Sequence, residues 1–227
     1  MFLSSLLSLN AVGVVAFVVA YLSAILTSLS FHEFAHAFVA NREGDPTAKA
    51  QKRLTLKPLS HIDPIGFITL LIFGFGWAKP VPVDFRNLKR GRVSEFRVSV
   101  AGIVMNLLLA FCASFIYCVL GIFAPKFLFA DNFYSLALET FLSLMLVINL
   151  CLAFFNLLPI YPLDGFRVVE SCCKTKDNNF SNFMRKYSNL IMLVVLISGI
   201  SSIYLNLTAV NLAELLLKMW VKIFGLI

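Results

Sequence analysis

Four apolar runs constrain this chain more than anything else in it: residues 11 to about 40, 98–122, 136–158 and 190–207. A helix of about 20 apolar residues matches the hydrocarbon thickness of a bilayer. In hydrocarbon every backbone polar group must be satisfied within the spanning element, so runs of this length demand helices. The expected fold is an all-α polytopic membrane protein with about four to six transmembrane helices. Only 14% of its residues are charged, against about a quarter in soluble domains. The first run is too long, and too lacking in a small-residue cleavage site, to read as a removable signal peptide.

The formal charge of +7 is explained by where the cations sit. Sixteen of the nineteen Lys and Arg fall in residues 42–57, 79–97 and 167–186, whereas the connection 123–135 carries only Lys126. That is the positive-inside pattern. It places the three basic segments on the cytoplasmic side and needs no nucleic acid. The five cysteines include no CxxC pair, which argues against a cysteine zinc site or a dithiol centre.

Between the first two runs lies "IGFITLLIFGFGW", residues 65–77, apolar but only thirteen residues long. As a helix it reaches about 20 Å, short of the ~30 Å of hydrocarbon, and basic segments flank it on both sides. The expectation is a re-entrant or membrane-buried segment, with bends at Gly66, Gly74 and Gly76. In "WAKPVPVDFRN", residues 77–87, Pro80 and Pro82 exclude helix and favour an extended, strand-like conformation. Such a strand could offer its backbone to an unwound peptide; a plain connector with an interfacial tryptophan is the alternative. At the C-terminus, residues 212–227, Glu214, Lys218 and Lys222 recur every four residues among leucines, which favours an interfacial helix over a fifth span. With no internal repeat, residues 1–227 read as a single integral-membrane domain.

The chemistry is carried by "HEFAH" in the first run: His32, Glu33 and His36. On a helix, positions i and i+4 share a face, so both imidazoles can hold one ion while Glu33 stands beside it. Two of the three histidines in the chain are used here. A catalytic zinc of this kind takes a third protein ligand and leaves a position open. The candidate lies in "NLLPIYPLDG", residues 156–165, where Pro159 and Pro162 break an apolar run ahead of Asp164. A carboxylate near hydrocarbon should be paired or should bind metal. The alternative is that Asp164 caps the helix that follows it.

HEFAH in the first run, "AGIVMN" in the second and "NLLPIYPLDG" in the third resemble the site-2 protease family of intramembrane zinc metalloproteases. "LTLKPLSHIDPIG" and "GWAKPVPV" look like further family signatures. The resemblance implies one zinc ion bound by His32, His36 and Asp164, with Glu33 as the general base, in a site open to cytoplasmic water. The implied reaction is hydrolysis of a peptide bond in or near a transmembrane helix. Asn106 occupies the family's asparagine position in its run and is expected to donate a hydrogen bond to the oxyanion, with a purely structural role as the alternative. Asn156 is expected to fix the break before Asp164. His61, in the "HxDP" element, is expected to be structural. The chain resembles a minimal form without a PDZ or CBS domain. Implied partners are the lipid bilayer, a single-span membrane protein or signal-peptide remnant as substrate, and an unlinked regulatory protein.

Other classes fit less well. An ion transporter would be expected to offer ligands on both sides of the midplane and often an internal repeat, whereas these cluster at one end. An inactive scaffold would not need all the ligands and the base. A serine-type site lacks a GxSG segment, and an aspartyl type lacks a second membrane aspartate.

Overall fold

The computed structural model describes residues 11–73, 76–173 and 179–225. Its helices, in chain order, are α1 (Ala11–Arg42), α2 (Thr47–Ala50), α3 (Pro64–Phe73), α4 (Arg92–Phe123), α5 (Pro125–Leu128), α6 (Phe133–Asn156), α7 (Asp164–Cys172), α8 (Asn179–Ile197), α9 (Ile200–Leu205) and α10 (Asn211–Ile223). No β-strand forms among the described residues; one isolated bridge pairs Ile62 with Ala78. Among the described residues, four helices are long and apolar enough to cross a membrane: α1, α4, α6 and the continuous stretch Ile200–Ile223.

The bundle closes on small residues. Ala24, Ala110, Ala113, Ala209 and Ala213 pack with Met145, Leu146 and Leu150. Alanines let helix backbones approach where hydrocarbon supplies no driving force between apolar faces. The larger side chains point outward, with Val104, Leu108 and Ile116 of α4 exposed. That arrangement suits a lipid solvent.

The fourth spanning helix differs from the expectation. The apolar run 190–207 is cut, because α8 ends at Ile197 and Gly199 adopts a left-handed φ of +74° before a new helix begins. A glycine takes that conformation without steric cost. The C-terminal residues expected to lie in the interface instead form the second half of Ile200–Ile223, packed on α4 and α6. Trp220 explains why periodicity misplaced them. Its indole Nε1 donates to Ser114 Oγ at 3.0 Å, and its ring lies 4.9 Å from Phe115 and 5.0 Å from Phe111.

Helix α3 has ten residues, about 15 Å, too short to span. It packs against the extended segment that follows: a Cβ on Gly66 would overlap the Trp77 carbonyl, and one on Gly76 would overlap the Gly66 carbonyl. Gly74 lies outside the described residues. The proline-containing segment is anchored at its start by Lys79 N–H donating to the His61 carbonyl at 2.9 Å, and Arg53 Nη2 donates to the Lys79 carbonyl at 2.7 Å. His61 is buried, with Nε2 donating to the Thr55 carbonyl at 2.7 Å. Asp63 caps α3 by accepting from Gly66 N–H at 2.8 Å.

Just past α1, the fully buried Asp45 gathers the far end of that segment. Its carboxylate accepts from Asp84 N–H at 2.8 Å, Asn87 Nδ2 at 3.0 Å and Thr47 N–H at 3.1 Å. Burial pushes its pKa up, but the hydrogen bonds from Asn87 and Thr47, with those from backbone amides, outweigh it and hold the group below the usual carboxylate range. A depressed native pKa stabilises the fold fully above the unfolded value of about 3.9, and that stability is lost as pH falls through the native value. Asp45→Ala strands several donors and should cost ~1–3 kcal/mol, read as a lower melting midpoint in detergent at neutral pH. The difference from wild type should shrink on acidification; a gap that stays constant from pH 7 to pH 3 would contradict the hub.

Candidate metal centre

The candidate donor atoms come from two elements: His32, Glu33 and His36 sit within the last turns of α1, and Asp164 opens α7. The two Nε2 atoms lie 3.1 Å apart. Asp164 Oδ2 is 3.3 Å from His32 Nε2 and 3.1 Å from His36 Nε2. Asp164 does not cap its helix: Leu163 stands at the N-cap, no side chain caps the end, and the carboxylate turns to the imidazoles. An ion pair between buried Glu170 of α7 and Nη2 of the exposed Arg185 of α8, at 2.6 Å, holds the element that carries it.

The partners of the other ring nitrogens decide what this triangle can do. His32 Nδ1 faces the Asn106 side-chain oxygen at 2.6 Å, and His36 Nδ1 faces the Val98 carbonyl at 2.7 Å. Both partners only accept, so both Nδ1 atoms carry hydrogen. In the neutral rings each Nε2 is therefore a bare lone pair, and the Asp164 carboxylate adds a third. Three donor atoms at this spacing need a shared cation, a proton or a metal ion, to hold them together. The fit to a cation is close: a tetrahedral zinc with ligands at about 2.0–2.1 Å has edges of about 3.3 Å.

Glu33 stays out of the triangle. Its Oε2 accepts from Val81 N–H at 2.7 Å, which ties the carboxylate to the extended segment between Pro80 and Pro82. Asn106 differs from its expected role as an oxyanion donor. It is fully buried; its oxygen accepts from His32, and its Nδ2 donates to Asn149 Oδ1 at 3.1 Å. An amide turned inward at both ends is spent on the His32 ring and on Asn149. Asn156 lies in the last turn of α6 and donates to the Leu152 carbonyl at 3.0 Å, and His61 stays outside the cluster. Sequence analysis does not single out Asn149, whose only signal is an amide in an apolar run. It had no means of finding the Val98 carbonyl or the Val81 N–H, since backbone groups carry no sequence signature.

A donor set of this kind on helices of membrane-spanning length defines a membrane metalloprotease. The family model of peptidase family M50, the site-2 protease family, matches residues 20–199, and the chain belongs to that family. Over 178 residues it is 40% identical to a Bacillus subtilis (strain 168) protein named "Putative zinc metalloprotease YwhC", covering 78% of this chain and 80% of that one. It is 32% identical over 200 residues to the Rip2 protein of Mycolicibacterium smegmatis, which carries the same description, with 84% and 70% covered. No solved structure matches significantly. The protein is thus a zinc metalloprotease of a membrane, consistent with its four membrane-length helices.

Gly102 of α4 makes room for the imidazoles, since a Cβ there would overlap both His32 and His36. Gly102→Ala should lower the zinc-to-protein ratio of the purified protein at least tenfold after dialysis against a weak chelator. Gly121→Ala, at the far end of the same helix with no atom nearer than 3.7 Å, should retain zinc. Equal zinc content in the two variants would argue against the packed geometry.

Proposed function

We propose that this protein is an intramembrane zinc endopeptidase, cutting a membrane-protein or signal-peptide-like substrate in or near its transmembrane helix. The observation that carries the reading is the convergence of the His32, His36 and Asp164 donor atoms beside Glu33, a carboxylate that lies outside their triangle. His32, His36 and Asp164 would hold a zinc ion, which would supply Lewis acidity toward a water molecule and a carbonyl, and Glu33 is the general base. Glu33 takes the proton from the attacking water and delivers it to the departing amine, a role worth about 10²–10⁴ in rate. Asn106 keeps His32 in the tautomer that ligates.

The surroundings support a peptide substrate. An apolar cavity of about 330 Å³ runs between α1, α3 and α6, lined by Ile25, Leu29, Leu70, Cys151 and Phe155. Leu29 precedes Glu33 by one helical turn, so the cavity leads toward the base. Ala78 lines the same cavity, and Val81, three residues on, touches Glu33. An apolar peptide lying there would meet the carboxylate beside an extended backbone, which suits a locally unwound helix. The basic segments that follow α1 and α7 support an active site on the cytoplasmic side. The same charge pattern leaves nucleic acid unneeded as a partner.

Co-expression with a panel of single-span membrane proteins tests the reaction. Glu33→Gln should abolish the fragments made by wild type, a loss of ~100-fold or more, while the purified variant keeps its zinc. Identical fragment patterns from both would sink the proposal.

A further inference from the structure

Asn149 contacts none of the proposed ligand atoms, yet it anchors a directed chain of hydrogen bonds that ends on His32. It lies on α6 and is fully buried. Its Nδ2 donates to the Met145 carbonyl at 2.8 Å and to Ser28 Oγ at 2.8 Å. Ser28 in turn donates to the Ala24 carbonyl at 2.7 Å, which leaves its lone pairs to accept. With the amide nitrogen claimed by these two acceptors, Asn149 Oδ1 must face α4. There it accepts from Asn106 Nδ2 at 3.1 Å, which turns Asn106 Oδ1 onto His32 Nδ1 at 2.6 Å. Every direction is forced by the one before it.

From this we infer that Asn149 is a positioning residue: through Asn106 it fixes the tautomer and ring orientation of His32, so that Nε2 is presented bare to the metal. The inference rests on the ligand set proposed above. The chain crosses three membrane helices, α1, α4 and α6, and starts from the backbone carbonyls of Ala24 and Met145. A flipped Asn149 amide would set two NH2 groups against each other across the α4–α6 contact.

The two histidines are treated differently. His36 is fixed in one step by the backbone carbonyl of Val98, which no side-chain replacement removes. His32 is fixed only by side chains. A substitution at position 149 should therefore reach the metal through His32 alone. The competing account is that Asn149 merely glues helices together, as buried amides do in membranes. Glue lowers the stability of the metal-free protein and leaves metal affinity untouched.

The test measures zinc affinity of the full chain in detergent, by competition with a chromophoric chelator, together with the melting midpoint of the metal-free protein. Loss of an outer hydrogen-bond partner of a metal-bound histidine typically costs 10–100-fold in affinity. Asn106→Leu should fall in that range. Asn106→Asp, which keeps an oxygen for His32 Nδ1, should return to within about threefold of wild type. Asn149→Leu, one step further out, should lose roughly 3–10-fold, a share of the direct effect. The double variant Asn106→Leu with Asn149→Leu should be no weaker than Asn106→Leu alone, since both act on one contact. Asn149→Ala gives the same reading if the leucine variant does not fold. Wild-type zinc affinity in the Asn149 variants, or losses that multiply in the double variant, would overturn the relay. His36→Ala separates the two layers: if it leaves affinity unchanged, the ligand set itself fails.

Discussion

Three lone pairs brought within 3.3 Å of one another among membrane helices are the interaction on which the rest of the structure depends. A metal ion or a shared proton must hold them together, and in low dielectric the interaction of that charge with Asp164 is weakly screened. Such an arrangement persists only where the surrounding structure over-determines it. Here it is over-determined from several sides: the Val98 carbonyl and the Asn106 oxygen fix the tautomers, the missing side chain of Gly102 admits the rings, and the Glu170–Arg185 pair holds the helix that brings the aspartate. The composition of the bundle follows. Its core uses alanine where helices must close and asparagine or serine where they must be aligned, leaving bulk to the lipid-facing surface.

The region around residues 43–97 solves a different problem. It carries an irregular backbone that helices alone would not position, and it does so with charged groups outside the spans. Ser94 hydrogen-bonds to Glu43, Arg97 pairs with it at 2.8 Å, and together they hold its carboxyl below the usual range. Asp45 gathers 84–87 in the same way. The start of α4 is thereby fixed to the end of α1, and α4 in turn supplies Val98, Gly102 and Asn106 to the metal cluster. Surface electrostatics and the buried site are parts of one scaffold.

The sequence was most legible where hydrocarbon removes alternatives. Spans α1, α4 and α6 were readable to within a few residues because apolar length admits one solution. The convergence of His32, His36 and Asp164 was readable because HExxH spacing places two rings on one helix face, and because a lone aspartate after two prolines had few other uses. What escaped was decided by partners rather than by pattern. Gly199 breaks an apolar run that hydropathy sees as continuous. Trp220 looks interfacial until Ser114 offers its indole an acceptor. Asn106 has the composition of a donor to substrate, and only the position of His32 Nδ1 and Asn149 reveals which way its amide faces. A sequence gives residue types; the direction of a hydrogen bond depends on neighbours from other helices.

The cluster and the strap beside it are held by unequal means, and this difference fits a protease that must accept a polymer. The ligands are locked by buried side-chain contacts and helix packing. The extended segment at 78–81 meets its surroundings through a few backbone hydrogen bonds: to His61, to Arg53 and, from Val81, to Glu33. Lys79 and Pro80 themselves are exposed. Segments with few buried apolar contacts are the ones that open at low free-energy cost. A substrate backbone arriving at Glu33 would compete with one amide of this strap while the metal triangle stays in place. A site made entirely of locked parts would bind its ion equally well and admit nothing to cut.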